Sequence, residues 1–574
     1  MLDLIIRNGT VIDGTGSSRR HADVGVLDGH ITAIGEIDDA AARVIDADGR
    51  IVSPGFVDVH THLDAQAFWD PDLSPSPLHG VTSVFSGNCG FTIAPLGAGA
   101  GDYLMPMLAK VEGMPLQSLR EGVPWNWQST GEYLDALDGK LVINAGFMVG
   151  HSAIRRVVMG AAANERLATP VELDAMCALL RAGLAAGGMG FSTTTSDTHN
   201  DADGNAVPSR LADRSEMLAL ARVCGEFEGT SLELLPRGAT ELGPFDDDVA
   251  ELMITMSIAA RRPLNWNVIS PTASNLESCM SKLSVGDAAR AAGGKVIGLT
   301  MPVDMKARFS FHAGFVLELF DGWSEIMNAS TADKLRTFCD PDQRARYRAL
   351  AEGTANMRHL TKWHDLVLVE TFADSTARFA GMRVGEVAEV LGRDPFDALI
   401  DVIIADDMRT TFTRPSRPPT QADWDARLQV WQDPRALIGA SDAGAHLDMI
   451  AAFRYSTGFL QEAVREHRLL PLERAVQMLT QAPARLYGVR DRGTLRVGGK
   501  ADVLVFDEAS VGSGPVATRF DLPGGAGRLY ADPIGIDHVI CNGVEVAAKG
   551  SYTGDRAGVI LRSGRDTATP TMDL

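Results

Sequence analysis

No apolar run in this chain approaches the roughly 20 residues that a membrane-spanning helix requires. Its six cysteines, Cys89, Cys177, Cys224, Cys279, Cys339 and Cys541, lie far apart and form no Cys-x-x-Cys pair. That spacing predicts reduced, mostly buried thiols in a cytoplasmic protein. Positive charge is also scarce: 53 Lys and Arg stand against 74 Asp and Glu, a formal net charge of -21. Such a surface excludes nucleic acid or an anionic membrane as the main partner. The N-terminus carries an early acid, Asp3, and lacks a signal-peptide layout, so it reads as a strand entering the fold directly. Internal repeats and low-complexity segments are absent. What remains is 574 residues, 45% hydrophobic and 22% charged, ample for a large core with a smaller domain beside it.

The two chain ends share a texture. Residues 1–52 alternate short β-rich runs with Gly/Asp turns, and Asn8-Gly9 and Asp28-Gly29 read as hairpin turns. Residues 491–550 repeat the pattern around Ala501-Asp502-Val503-Leu504-Val505-Phe506 and Asn542-Gly543. Neither end has enough strands to stand alone, so together they predict one small β domain built from both termini. Residues 53–490 have another rhythm. Apolar strands at 56–59, 81–85, 141–149, 189–192, 231–235, 264–269, 295–300 and 437–440 alternate with helices at 171–186, 214–227, 246–261, 285–292, 384–391 and 472–479. This alternation predicts an α/β fold, a TIM-type (β/α)8 barrel with insertions. One insertion, about 97–140, is rich in Gly and Pro and carries Trp125 and Trp127. The polar tail, 551–574, is expected to be loosely held.

Chemistry in such a barrel sits at the C-terminal ends of the strands. The first strand ends in His60-Thr61-His62. In extended backbone, side chains at i and i+2 point to one side, so both imidazoles reach a single ion. Imidazole suits zinc and its first-row neighbours. Other strand ends also collect polar groups: Gly87-Asn88-Cys89-Gly90; Gly150-His151-Ser152 with Arg155; Thr193 to Thr195 with His199; Glu233 with Arg237; Asn265 and Asn267; and Ser441-Asp442 with His446. His199, His312 and His364 lie in loops and read as surface or outlying residues, and Trp125, Trp127 and Trp266 as packing.

Taken with Pro54-Gly55-Phe56-Val57-Asp58-Val59-His60-Thr61-His62-Leu63-Asp64, Gly439-Ala440-Ser441-Asp442, Ala482-Pro483-Ala484-Arg485 and Gly499-Lys500-Ala501-Asp502-Val503, these residues resemble the amidohydrolase superfamily. Within it they are most similar to the N-acyl-D-amino-acid deacylase (D-aminoacylase) family. The resemblance runs almost the whole length and implies a metal-assisted hydrolase of a C–N bond, with a TIM-type barrel and a β-sandwich from both chain ends. It implies His60 and His62 as first-strand ligands and Cys89 as the residue replacing the superfamily's usual bridging carboxylated lysine. It also implies Asp442 as a ligand and general acid/base. The expected cofactor is zinc, as one or two ions, or another divalent first-row metal. The expected partner is a small-molecule substrate, with a homo-oligomer left open.

This chain departs from the family pattern on strands five and six, where relatives carry histidines and a nearby lysine. Here the segments read Ser231-Leu232-Glu233-Leu234-Leu235 and Leu264-Asn265-Trp266-Asn267-Val268-Ile269. Glu233 is the candidate replacement ligand, since zinc accepts a carboxylate. Asn267 or Asn265 is a weak oxygen ligand or substrate contact, Arg237 the nearest replacement cation, and His446 a substrate-side candidate. His151 is assigned to the oxyanion or the substrate. Two rivals follow: hydrolysis of a cyclic amide, lactone or other amide or ester without an amino-acid carboxylate, and a catalytically silent binding protein on the same fold.

Overall fold

The computed structural model describes residues 1–97, 99–312, 314 and 316–572. Its centre is a set of parallel strands whose spatial order follows their order in the chain. Phe56–Thr61 pairs with Val81–Ser86, which pairs with Asn144–Phe147. After Met148 the chain continues as Val149–Gly150, which opens a second parallel sheet through Gly190–Thr194, Ser231–Leu235, Leu264–Ile269, Val296–Thr300 and Ala436–Ile438. The segment after Ala436–Ile438 returns beside the first strand. Thr61 bridges Ala443 in parallel, the His62 N–H donates to the Ala443 carbonyl at 2.7 Å, and the Asp442 N–H donates to the His60 carbonyl at 3.0 Å. Phe56–Thr61 and Val81–Ser86 are buried at every position, as strands covered on both faces must be.

Helices alternate with these strands. Pro170–Ala185 starts where Thr169 and Glu172 form a capping box, with proline at the first helical position. The expected helix 285–292 is the C-terminal half of a longer one, Leu276–Ala291. Ser281-Lys282-Leu283-Ser284 gives that longer helix too weak an apolar stripe to be seen by periodicity alone.

The chain ends form a nine-stranded sheet. Val503–Phe506 pairs antiparallel with Ile51–Pro54, stitching the C-terminal run to the N-terminal one. Asp28-Gly29 makes the expected hairpin between Arg20–Leu27 and His30–Gly35, with both residues at positive φ. Asn8-Gly9 does not turn the chain: it lies within the single strand Leu2–Val11, where the register shifts between Ile6 and Gly9. Asn8 takes φ 60°, so the dipeptide is spent on a bulge rather than a hairpin. The tail is not loose. Ile560–Leu561 adds a parallel strand beside Asn144–Phe147, and the buried Thr567 hydroxyl donates to the Gly229 carbonyl at 2.7 Å.

Between Val296–Thr300 and Ala436–Ile438 the chain builds a unit with its own three-stranded sheet, from Phe309–Ser310, Val367–Glu370 and Thr411–Thr413. Its separate core gathers Phe311, Trp323, Phe338 and Phe396. The cysteines are unbridged; Cys339 is exposed and the other five are buried. Among the described residues no helix is long and apolar enough to cross a membrane.

Candidate metal centre

The first strand presents Asp58 and His60, and the chain leaving it carries His62 and Asp64; all four are buried. The His60 and His62 rings meet edge-on with centroids 5.4 Å apart. Cys89 enters from the loop after the second strand, and one ligand atom from each of His60, His62 and Cys89 lies within 4.8 Å of the others. The Cys89 sulfur is 3.7 Å from His60 Nε2.

That loop is built to hold the sulfur. Asn88 donates its amide to the Thr61 and Phe85 carbonyls, both at 3.0 Å. The Gly87 N–H donates to Asp64 Oδ2 at 3.0 Å, and the Gly90 N–H to Ser192 Oγ at 3.2 Å. Cys89 itself sits at φ 56°, a left-handed conformation that costs a residue with a Cβ about 1–2 kcal/mol. Asp442 is also left-handed, at φ 57°. Such outliers persist where the surroundings over-determine them, and they cluster at working sites. Two residues on, Gly444 takes φ 96° with its backbone against His62: a Cβ there would lie 2.4 Å from the His62 carbonyl oxygen. The chain that delivers Asp442 therefore passes too close to the first strand for any other residue.

Asp442 Oδ1 lies 3.2 Å from His62 Nε2 and 3.7 Å from His60 Nε2. Its side chain keeps 26% of its surface open, whereas those of His60 and Glu233 keep none. Glu233 closes the inner side. One oxygen accepts the Cys89 N–H at 2.7 Å, and the other lies 3.9 Å from His60 Nδ1. Asn267 Nδ2 is 3.3 Å from His60 Nε2 and 3.8 Å from the Cys89 sulfur. Asn265, two residues earlier on the same strand, spends its amide on the Leu232 carbonyl at 3.0 Å.

Burial dominates the electrostatics. It pushes Glu233 up to about 8 and Asp58 and Asp64 to about 7, and raises the Cys89 thiol well above its usual range, with Glu233 adding to the last effect. Burial and the charge of His62 lower His60 to about 3. On His62 burial is outweighed by the carboxylates of Glu112 and Asp442, which raise it to about 9. Burial would raise Asp442, yet the bond to and charge of His62 hold it below the usual carboxylate range. Carboxyls and a thiol crowded around imidazoles in a dry site favour a cation, which lowers the cost of every charged oxygen and of the thiolate at once. The buried Nδ1 atoms of His60 and His62 and Oδ1 of Asn267 have no hydrogen-bond partner. Two imidazoles, a thiol and nearby carboxylates are zinc-type donors. The residues present thus fit a divalent first-row ion.

Two residues assigned to the site from sequence are committed to other partners. His151 is buried, but its ring nitrogens are engaged by Thr193 Oγ1 and Glu216 Oε1, both at 2.8 Å, and Glu216 also binds Arg155. With both nitrogens committed, His151 has no donor left for an oxyanion. Arg237 is 41% exposed and paired with Asp246 and Asp248 on the surface. Those acids, eleven residues away at most, satisfy the guanidinium locally. His446 reaches the site's rim, where its N–H donates to the Glu112 carbonyl at 2.5 Å.

Sequence reasoning missed other members. Glu112, from the insertion at about 97–140, is 3% exposed and places Oε1 3.5 Å from His62 Nδ1. Its only sequence signal is a lone acid in the apolar run 104–116. Asp58 was legible by the same i, i+2 alternation as the histidines, whereas Asp64 lies in the turn beyond the strand. His199, read as a loop residue, packs its ring against Phe91 at 4.9 Å, with Nδ1 buried and unpartnered. Burial, then His62 and His446, lower it to about 3.

A family model described as "Amidohydrolase family" matches residues 43–547. An N-acyl-D-glutamate deacylase of Alcaligenes xylosoxydans xylosoxydans is 29% identical over 98% of this chain and 96% of its own length. A D-aminoacylase of the same organism is 27% identical over 97% of both chains. Among solved structures, N-acyl-D-glutamate deacylase from Bordetella bronchiseptica, complexed with zinc and a phosphonate mimic of the tetrahedral intermediate, superposes with a TM-score of 0.64. It is 26% identical and covers 98% of this chain and all of that one.

Proposed function

This chain belongs to the amidohydrolase family, and from that premise we propose that it is a zinc-dependent deacylase hydrolysing the amide C–N bond of an N-acyl-D-amino acid. The observation that carries the reading is the convergence of His60, His62 and Cys89 within 4.8 Å, with Asp442 3.2 Å from His62. His60, His62 and Cys89 would hold the ion, with Asp442 and Glu233 as the nearby carboxylates. When bound, zinc supplies Lewis-acid polarisation of the scissile carbonyl and makes water a better nucleophile near neutral pH. Asp442, the open carboxylate of the group, takes the proton of the attacking water and delivers it to the leaving nitrogen. Asn267 and His446 line the substrate's side. The ring of parallel strands is read as a (β/α)8 barrel spanning 53–490. The two chain ends form its β domain, and the last described residues add a strand to the central sheet.

A second reading has its own support. Arg237, the cation expected to meet an amino-acid carboxylate, is committed to Asp246 and Asp248. That favours a substrate without such a carboxylate: a cyclic amide, a lactone or another neutral amide or ester. Purified protein with measured metal content, assayed on N-acyl-D-amino acids, their L-isomers, lactams and lactones, separates the readings. Turnover confined to the N-acyl-D series supports the first, and turnover confined to cyclic substrates overturns it. A silent binding protein would carry no transition metal and turn over none of them.

A further inference from the structure

We infer that Glu112 is a positioning residue of the metal centre: its carboxylate holds the Nδ1 side of His62, so that Nε2 is the nitrogen presented to the ion. The inference rests on the reading of His62 as a ligand. His62 Nε2 faces Asp442 Oδ1 at 3.2 Å, on the side where His60 Nε2 and the Cys89 sulfur converge. Nδ1 faces the other way. It is buried and has no hydrogen-bond partner, and an acidic oxygen, Glu112 Oε1, lies 3.5 Å from it. A metal-bound imidazole needs an acceptor for its second N–H, and a carboxylate there fixes both the tautomer and the ring's orientation. Asp64, two residues further along the chain in the turn beyond the strand, is directed instead toward the Gly87 N–H. Glu112 is the carboxylate left for the task.

Glu112 is held for it. It caps the C-terminus of helix Gly101–Val111, which lies in the segment inserted between the second and third central strands. Its N–H donates to the Leu108 carbonyl at 2.9 Å, and its carbonyl accepts the His446 N–H at 2.5 Å. Two residues before it, Lys110 pairs with Glu318 of the unit inserted after Val296–Thr300. The helix is thus tied to the last strand's loop and to the inserted unit, and through Glu112 it bears on the metal ligand. An insertion that looks peripheral in sequence supplies part of the centre's rigidity.

The test is zinc affinity, measured by competition with a chromophoric chelator, for the wild type, E112Q and E112M. Methionine keeps the volume and removes the acceptor; glutamine keeps an acceptor oxygen. The expected result is a loss of about 10–100-fold in E112M, with E112Q weakened only a few-fold. The visible spectrum of the cobalt-substituted protein should shift in E112M and be largely restored in E112Q. A folded E112M with wild-type zinc affinity overturns the inference. If E112M does not fold, E112Q decides alone: a few-fold weakening supports the inference, and wild-type affinity overturns it. A wild-type protein that takes up no zinc overturns the proposed function and this inference together, whereas a normal wild type beside an unaffected E112M overturns this inference only.

Discussion

Glu233 accepts the backbone N–H of Cys89 at 2.7 Å, joining the fifth central strand to the loop that carries the sulfur. The bond is wholly buried, and Cys89 is held in a left-handed conformation beside it. One carboxylate thus serves the loop's backbone with one oxygen and faces His60 with the other.

Replacing Glu233 with Ala should therefore act on the loop as well as on any ion. Leaving the Cys89 N–H without a partner in a dry site costs about 1–3 kcal/mol. E233A is expected to lose stability in denaturant titration and to release zinc at lower chelator concentration. E233Q, with an acceptor retained, should recover most of the stability. Equal stability of E233A and the wild type would refute the loop role.

Asp442 is assigned the proton transfers because it is the open carboxylate beside both histidines. D442N should keep bound zinc but lose about 10²–10⁴ in kcat. The check is turnover normalised to metal content by atomic spectroscopy; a fully active D442N would sink the assignment.

His151 is expected to matter for stability and not for chemistry. Its ring bridges Thr193 to the Glu216–Arg155 pair in the core. H151A leaves buried polar groups unpaired and should cost about 1–3 kcal/mol, with kcat per bound metal close to that of the wild type. A variant that is stable yet catalytically dead would restore the role read from sequence.

Arg237 is predicted to be neutral. Exposed pairs of the kind it makes with Asp246 and Asp248 contribute about 0–1 kcal/mol. R237A should show an unchanged KM. A large rise in KM for an anionic substrate, absent for a neutral one, would show that the side chain reaches the site.

Acid sensitivity is expected from His79. It is buried, bonded to Thr457 Oγ1 at 2.6 Å and to the Ala531 carbonyl at 3.0 Å. Burial lowers its pKa from 6.5 to about 4. The unfolded chain therefore takes up a proton that the folded chain refuses, so stability falls as pH drops from 6.5 to about 4 and levels off below. At 1.36 kcal/mol per unit the full effect is about 3 kcal/mol. H79Q should flatten that limb of the stability–pH curve; a curve unchanged over this interval would count against it.

Much of the site was legible because it follows local rules. Alternation at the end of one strand puts His60 and His62 on one side, and the same rule reaches Asp58. Glu233 and Asn267 were legible as polar residues in apolar strands. His151 and Arg237 misled for opposite reasons. One stands at a strand end but turns into a core ion cluster, and the other follows a strand but meets acids nearby in the chain. Which way a side chain turns after a strand end depends on neighbours that arrive from elsewhere.

By itself the sequence determined the rhythm of strands and helices, the stitching of the two chain ends, and the histidine pair, because each follows from periodicity, turn chemistry or spacing over a few residues. Cys89 and Asp442 were expected beside that pair through the resemblance; only the tertiary structure set the distances at which they approach it and showed that Glu233 braces the cysteine loop. It alone brought Glu112 in from an insertion, tied down the tail and removed His151 from the site. Those outcomes are contacts between residues tens to hundreds of positions apart, and their energies depend on burial and pairing that no local pattern records.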